Sequence, residues 1–400
     1  MKIKYFLAVY SLFAMMVISV QARAVPAFAR SQGIECGGCH TAFPSLNSFG
    51  RNYKTRGYRL VNASKDTTVT DFTTKINQLP IAAAIISRPY TKDKSGNSEI
   101  RAIHEVEVFM GGVFYRNLSG LVVLEAEGED GFGNVLATAV LNYDVNNALN
   151  VQIAYAPTFF ADPYDTLSSA RRLTAAHYNV LNDKFGKTDN DDKLRHSRQQ
   201  VSLFGRFLND RLFYNAGVGG LTGDNVANQS TVGFGRLAFD ISPSLMVGAF
   251  GLSGKCDITT ESDFVSDCGV DATGNVATSD RNFSRYGVDT QLDFGSVRLT
   301  GVYLSAEDDL VNSNSSETNV DYYAQAVYYG NVGGHLIAPL VRFQSSEVND
   351  GKDVTKGYVA GVSYYFLENF KGSIEYGSDT SVPSGETESS NFTLQLHAAF

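Results

Sequence analysis

The last eleven residues, SNFTLQLHAAF (390–400), place Phe392, Leu394, Leu396, Ala398 and Phe400 on one side of an extended chain, and Thr393, Gln395 and His397 on the other. A period of two marks a β-strand with one apolar and one polar face. The same alternation recurs upstream, making sixteen segments in all: about 75–89, 100–116, 120–127, 134–144, 150–160, 197–207, 211–221, 230–241, 245–254, 282–294, 297–306, 319–330, 335–346, 356–367, 371–378 and 390–400. Each suits a tilted strand crossing a bilayer, which takes about nine to eleven residues.

The connections alternate in length. NLS (117–119), VNNAL (145–149), LND (208–210), SPS (242–244), GS (295–296), NVGG (331–334) and ENF (368–370) are short. The polar stretches around 90–99, 128–133, 161–196, 222–229, 255–281, 307–318, 347–355 and 379–389 are longer. Short turns on one side of a membrane and long loops on the other are the pattern of outer-membrane barrels. A soluble sandwich or propeller has no reason to alternate in this way. Residues 71–400 therefore read as an all-β domain, a 16-stranded antiparallel transmembrane β-barrel of porin-like build with both termini periplasmic. The terminal Phe400, in phase with the last apolar face, also resembles the C-terminal signal by which such barrels are recognised for assembly.

Residues 1–24 begin with Lys2 and Lys4, run through an apolar stretch and end on Ala22 and Ala24, the pattern of a cleaved signal peptide. No segment reaches the ~18 apolar residues of a membrane helix. Without Lys2, Lys4 and Arg23, 30 of the 33 basic residues remain against 42 acidic ones, a formal charge of −12. That balance argues against nucleic acid as a partner and favours cations or basic proteins. No Walker, Rossmann or hydrolase signature is present, and GVGG (217–220) reads as strand glycine.

Ahead of the barrel, Cys36, Cys39 and His40 form C-x-x-C-H, the spacing of a c-type haem attachment site. Two thioether bonds would join the cysteines to the porphyrin, with His40 as proximal iron ligand. A zinc or dithiol redox role is the alternative, but a second cysteine pair for zinc and a thioredoxin-like βαβ context are both missing. An exported chain would also carry the motif to the compartment where bacteria attach haem. One covalent haem c is the expected cofactor. Cys256 and Cys268 are expected to close a local disulfide in a polar loop of an exported protein. A metal site there is the alternative, though no histidine lies nearby.

The run VPAFARSQGIECGGCHTAFPSLNSFGRNYKTRGYRL (25–60) resembles the N-terminal segment of fused outer-membrane cytochrome–porin proteins, a family that includes iron-oxidising outer-membrane c-type cytochromes. Pro26, Phe28, Ala29 and Arg30 match before the haem motif, and Pro44, Leu46, Phe49, Gly50, Lys54, Gly57 and Tyr58 after it. Tyr53 departs from the phenylalanine expected in that stretch. Beyond these residues only architecture and length match. The resemblance implies a protein of the cell outer membrane, set in lipid, that oxidises extracellular Fe(II) and passes electrons through one haem to a periplasmic c-type cytochrome. Another extracellular donor or acceptor, or a substrate-selective porin with an accessory haem, are the rival readings.

Residues 25–70, the expected monohaem segment, are too few to bury a core of their own. A barrel of this size encloses a channel wide enough to be plugged, so the wall can supply the missing burial. A haem segment hanging free in the periplasm is the alternative. The sixth iron ligand is open, since neither His nor Met lies between His40 and His104. On the second strand Arg101, Glu105 and Glu107 share the expected lumen face, with His104 and Met110 on the other. The longest loop, 161–196, corresponds to the one that folds into the lumen of sixteen-stranded porins, and DPYDTLSSARRLTAAHYNVL (162–181) reads as a short helix. It offers His177 as distal ligand, with His397 the alternative, and Arg171 and Arg172 as partners for haem propionates. A water-ligated or open iron is a further alternative. Acidic groups such as Asp189, Asp191 and Asp192 read as ordinary solvated loops.

Overall fold

The computed structural model describes residues 28–29, 34–59, 81–115, 117–128, 131–133, 135–181, 194–195, 197–222, 231–256, 273–275 and 277–400. The expected signal peptide, the 60–80 boundary region and Cys268 lie outside the described residues, as does the Cys256 side chain, so the expected disulfide does too. The N-terminal segment holds α1 (Cys36–Cys39), β1 (His40–Ala42), β2 (Ser45–Leu46) and α2 (Ser48–Thr55).

The barrel follows as β3 (Ile81–Asp93), β4 (Ser98–Tyr115), β5 (Leu118–Glu127), β6 (Val135–Asn146), β7 (Leu149–Pro157), β8 (Ser197–Phe207), β9 (Leu212–Thr222), β10 (Val232–Ser242), β11 (Leu245–Cys256), β12 (Arg281–Phe294), β13 (Val297–Asp309), β14 (Ser316–Tyr328), β15 (Gly330–Val332), β16 (His335–Val348), β17 (Asp353–Leu367), β18 (Phe370–Ser381) and β19 (Ser390–Ala399). Neighbours in sequence pair antiparallel, and β19 closes on β3. The three-residue β15 is a flange at the β14–β16 turn, and those two strands pair directly. The barrel therefore has sixteen strands, as the alternation implies.

Its polarity is inverted relative to a soluble protein. On β8, Val201 and Leu203 are exposed outside while Arg198, Gln200 and Ser202 are buried inside. Ile153, Leu237, Val288 and Val341 continue the outer apolar surface, and Arg236, Arg285, Arg298 and Arg342 the buried polar interior. Only lipid makes such an outer surface stable, because water would drive it to associate. On β19, Thr393, Gln395 and His397 are buried inward, and Phe400 exchanges backbone hydrogen bonds of 2.8 Å with Ala83.

Strands run past the expected ends on the long-loop side. β13 reaches Asp309 and β14 starts at Ser316, so the loop expected at 307–318 shrinks to 310–315. Outside the bilayer a ladder needs only paired backbone groups, and side-chain alternation no longer marks it. A second correction concerns His104, expected on the outer face. It is buried, with a ring nitrogen within 4.8 Å of carboxylate oxygens of Glu105 and Glu127. The β3–β4 ladder shifts register at Ile86/Arg88 and Arg88/Thr91, which breaks the simple alternation there.

A third correction concerns 162–181. The expected helix does not form; the loop is a series of turns with a 3₁₀ turn only at Asn179–Leu181. Wall side chains dictate its path instead. Arg236 binds Asp162 through Nε at 2.8 Å and pairs bidentately with Asp289 at 2.7 and 2.9 Å. Arg342 donates to the carbonyl oxygens of Ala176 and His177, and the amides of Ala175 and Ala176 donate to Glu375 at 2.8 Å. The loop thus folds inward and is fastened across the lumen.

Phe250 faces inward, packs edge-on against Phe159 of this loop at 5.7 Å, and lies directly across from Gly287. A Cβ at Gly287 would overlap the Phe250 ring. Gly287→Val should therefore destabilise the barrel by about 1–3 kcal/mol through overpacking. The urea midpoint of the lipid-held protein reads this, and an unchanged midpoint would refute the proposed packing.

Candidate functional site

The CGGC turn is stitched to its surroundings by Asn47. The Asn47 amide nitrogen donates to the carbonyls of Gly37 and Gly38 at 3.1 Å, while its side-chain oxygen caps α2 by accepting from Gly50 N at 2.9 Å. α2 packs so close that a Cβ on Gly50 would overlap the Cys39 carbonyl oxygen. The glycine is needed for that approach.

Cys36, Cys39 and His40 line one cavity of about 250 Å³, with Phe28, Phe43, Leu46 and Leu121 among its apolar walls. The two thiols are not joined to each other. Burial pushes Cys36 up to about 12 and Cys39 up to about 11. His40 is held neutral, because desolvation lowers its pKa. Its Nδ1 lies 3.1 Å from the Pro44 carbonyl oxygen, which can only accept, so Nδ1 carries the proton and Nε2 keeps a free lone pair. A neutral imidazole with its second nitrogen fixed on a backbone carbonyl is the form in which histidine binds a metal.

The segment is seated inside the barrel. Tyr53 and Tyr58 pack with Leu121 and Val123 of β5, and Phe28 stacks on Tyr58 at 4.5 Å. Asp165 of the inward loop joins three parts of the chain. It accepts from the Ser45 hydroxyl, from Arg171 Nε at 3.2 Å and from Arg298 Nη1 on β13 at 2.5 Å. At the opposite edge, Gly37 N donates to Glu368 on the short β17–β18 turn at 3.2 Å, which places the motif at the short-turn end.

A second cavity, of about 840 Å³, adjoins the first and shares Lys54, Phe109, Leu121 and Arg171 with it. Its β4–β5 wall carries a two-by-two array: Glu105 lies directly opposite Glu127, and Glu107 opposite Glu125. Oxygen atoms of Glu105, Glu107 and Glu125 lie within 4.8 Å of one another. Like charges facing across a ladder are unfavourable unless a cation or proton compensates.

The sequence-derived candidates fall as follows. Arg171 lines both cavities and is committed to Asp165 and to the carbonyls of Asp162 and Tyr164. Arg172 lines the larger cavity and holds Ser169 at 2.9 and 2.8 Å. His177 also lines the larger cavity, with Nδ1 2.9 Å from Ser169 Oγ. Burial, together with the charges of Arg172, Arg195, Arg88 and Arg342, drives its pKa down to about 2. His397 stands against Phe43 at 5.1 Å between ring centres, and Phe43 stands against His40 at 5.4 Å. Its Nε2 has no hydrogen-bond partner among the described residues. The two histidines therefore sit apart, one in each neighbourhood. The sequence reading missed Asp165, Glu125 and Glu127; only the alternating LEAE of 124–127 signalled the last two. It also left Lys54, whose amine lies 4.6 Å over the Phe160 ring between the cavities, without a role.

The barrel has the fold of outer-membrane porins. It superposes on OmpT of Vibrio cholerae with a TM-score of 0.56 and 13% identity, over 80% of this chain and 97% of that one. For an anion-selective porin from Comamonas acidovorans the values are 0.56 and 12%, over 80% and 98%. For Salmonella typhi OmpF in a complex with daunomycin they are 0.52 and 16%, over 80% and 97%. No protein-family model matches the chain, and no curated protein matches it in sequence.

The raised thiol pKa values predict that, in protein made without cofactor attachment, iodoacetamide at pH 8 alkylates Cys39 roughly a hundredfold more slowly than free cysteine and Cys36 more slowly still. The rate should climb as pH approaches 11, because only the thiolate reacts. A rate like that of free cysteine at pH 8 would contradict the buried site.

Proposed function

We propose that the protein is an outer-membrane electron conduit that takes electrons from extracellular Fe(II) and delivers them, by way of one covalent haem c in the barrel lumen, to a periplasmic c-type cytochrome. The carrying observation is that both thiols of C-x-x-C-H and the His40 ring line one apolar cavity, with Nδ1 already spoken for. Cys36 and Cys39 would hold the group by thioether bonds and His40 Nε2 would ligate its iron. Arg171 on the cavity wall would face anionic propionates, whereas burial beside Arg171 holds the Lys54 amine well below its ordinary pKa. When bound, haem c supplies one-electron redox chemistry and needs no acid or base from the protein.

The remaining residues do the rest of the work. Phe28, Phe43 and Leu121 exclude water from the cavity. The carboxylates of Glu105, Glu107, Glu125 and Glu127 offer hard oxygen donors that draw divalent cations into the neighbouring one. Each Fe(II) gives up one electron and leaves as Fe(III) on the outer side. The motif's place at the short-turn end, where β19 also ends with Phe400 against Ala83, fits a periplasmic exit. The resemblance of residues 25–60 to cytochrome–porin fusions supports iron as donor. The porin likeness also favours a second reading, solute passage with an accessory haem. Against it stands the N-terminal segment seated in the lumen.

Anaerobic mixing of the oxidised, detergent-held protein with Fe(II) tests the proposal through the haem Soret and α bands. Prompt reduction is expected in wild type, no covalent haem in a Cys36→Ser/Cys39→Ser variant, and a rate about tenfold lower at low salt in Glu107→Gln/Glu125→Gln. Reduction by dithionite but not by Fe(II) would remove iron as donor. A large open-channel conductance would favour solute passage.

A further inference from the structure

His40 is held by a relay that begins on the opposite wall. Its Nδ1–H donates to the Pro44 carbonyl at 3.1 Å, and the next residue, Ser45, is 3% exposed. The Ser45 hydroxyl donates to Asp165 Oδ2 while accepting from Arg298 Nη1 at 2.8 Å. Arg298 is fixed in turn by Asp293, whose oxygens lie 2.6 Å from its Nε and 3.1 Å from its Nη2. It also reaches the Leu46 carbonyl at 3.3 Å. The backbone that presents the Pro44 oxygen is thus clamped between the inward loop and β13. Pro44, Ser45 and Leu46 lie within six residues of His40, and Leu46 pairs with it across the β1–β2 ladder; Asp165, Asp293 and Arg298 come from distant parts of the chain.

We infer that Ser45 and Asp165 are positioning residues that set how strongly His40 donates to a bound haem iron, and through it the reduction potential. The inference rests on the haem reading above. A hydrogen bond from Nδ1–H gives the imidazole partial imidazolate character and makes Nε2 the stronger donor. A stronger donor favours ferric over ferrous iron and lowers the potential. The bond to Pro44 keeps its geometry only while the following residue is held. Freeing Ser45 lets the carbonyl drift and the potential rise. The carboxylate of Asp165 is matched by the guanidiniums of Arg298 and Arg171, so its part is to fix geometry.

The test uses the full chain matured with haem: wild type, Ser45→Ala, Ser45→Thr and Asp165→Asn. A pyridine haemochrome spectrum first establishes covalent haem in wild type. Equilibrium redox titration then gives the midpoint, and resonance Raman after CO photolysis gives the Fe–His stretch. Ser45→Ala and Asp165→Asn should raise the ferrous:ferric ratio at a fixed poise about tenfold, about 59 mV for one electron. Both should lower the Fe–His frequency. Ser45→Thr, which keeps the hydroxyl, should restore both readings. If Asp165→Asn fails to assemble, the Ser45 pair decides alone. Wild-type potential and stretch in Ser45→Ala, with only a lower yield of folded protein, would overturn the inference and leave the haem reading standing. Wild type without covalent haem would remove that reading and the inference together.

Discussion

One buried carboxylate ties the protein together. Asp165 lies on the inward loop, holds Ser45 of the N-terminal segment and is held by Arg298 of the barrel wall. An unpaired charge at that depth would cost several kcal/mol, so the three elements have to arrive together. The demand comes from the barrel itself. Lipid takes the apolar faces of the strands, and the polar faces turn inward with guanidiniums that need anions. Asp289, Asp293 and Asp308 of the wall meet part of that need, and the loop adds Asp162 and Asp165, which draw it across the lumen.

The same constraint explains why the 28 described residues of the N-terminal segment, 28–29 and 34–59, can hold structure here. Residues 34–59 have two short helices and two very short strands, too little to fold independently. β5, the inward loop and the β17–β18 turn provide the surfaces it lacks. The cavity with Cys36, Cys39 and His40 exists because two surfaces meet: the CGGC turn from the segment, and Phe109, Leu121 and Ala399 from the barrel. Next to it, the glutamate array of β4 and β5 faces the arginine-bearing loop, so the two cavities differ sharply in character.

The strands were legible because the membrane imposes alternation on every residue it spans; β8, read at 197–207, is observed as Ser197–Phe207. Their outer ends were not, because there the outward positions of β13 and β14, such as Glu307, are polar as well, while Asp308 still turns inward to Arg285. The 162–181 stretch carried a helical pattern that wall arginines overrode. His104 escaped because a register shift is set by the partner strand. The C-x-x-C-H motif was legible because its spacing is local. Its support was not: Ser45 meets Asp165 and Arg298 across 120 and 253 residues, and no period in the sequence encodes such a meeting.

The most direct measurement of the central claim traps a ferric c-type cytochrome inside liposomes carrying the protein and adds Fe(II) outside under anaerobic conditions. The internal cytochrome should be reduced with wild type and remain ferric with Cys36→Ser/Cys39→Ser, while the vesicles exclude the added iron in both cases. Equal reduction by the two proteins, or iron found inside, would show that electrons do not cross by the proposed route.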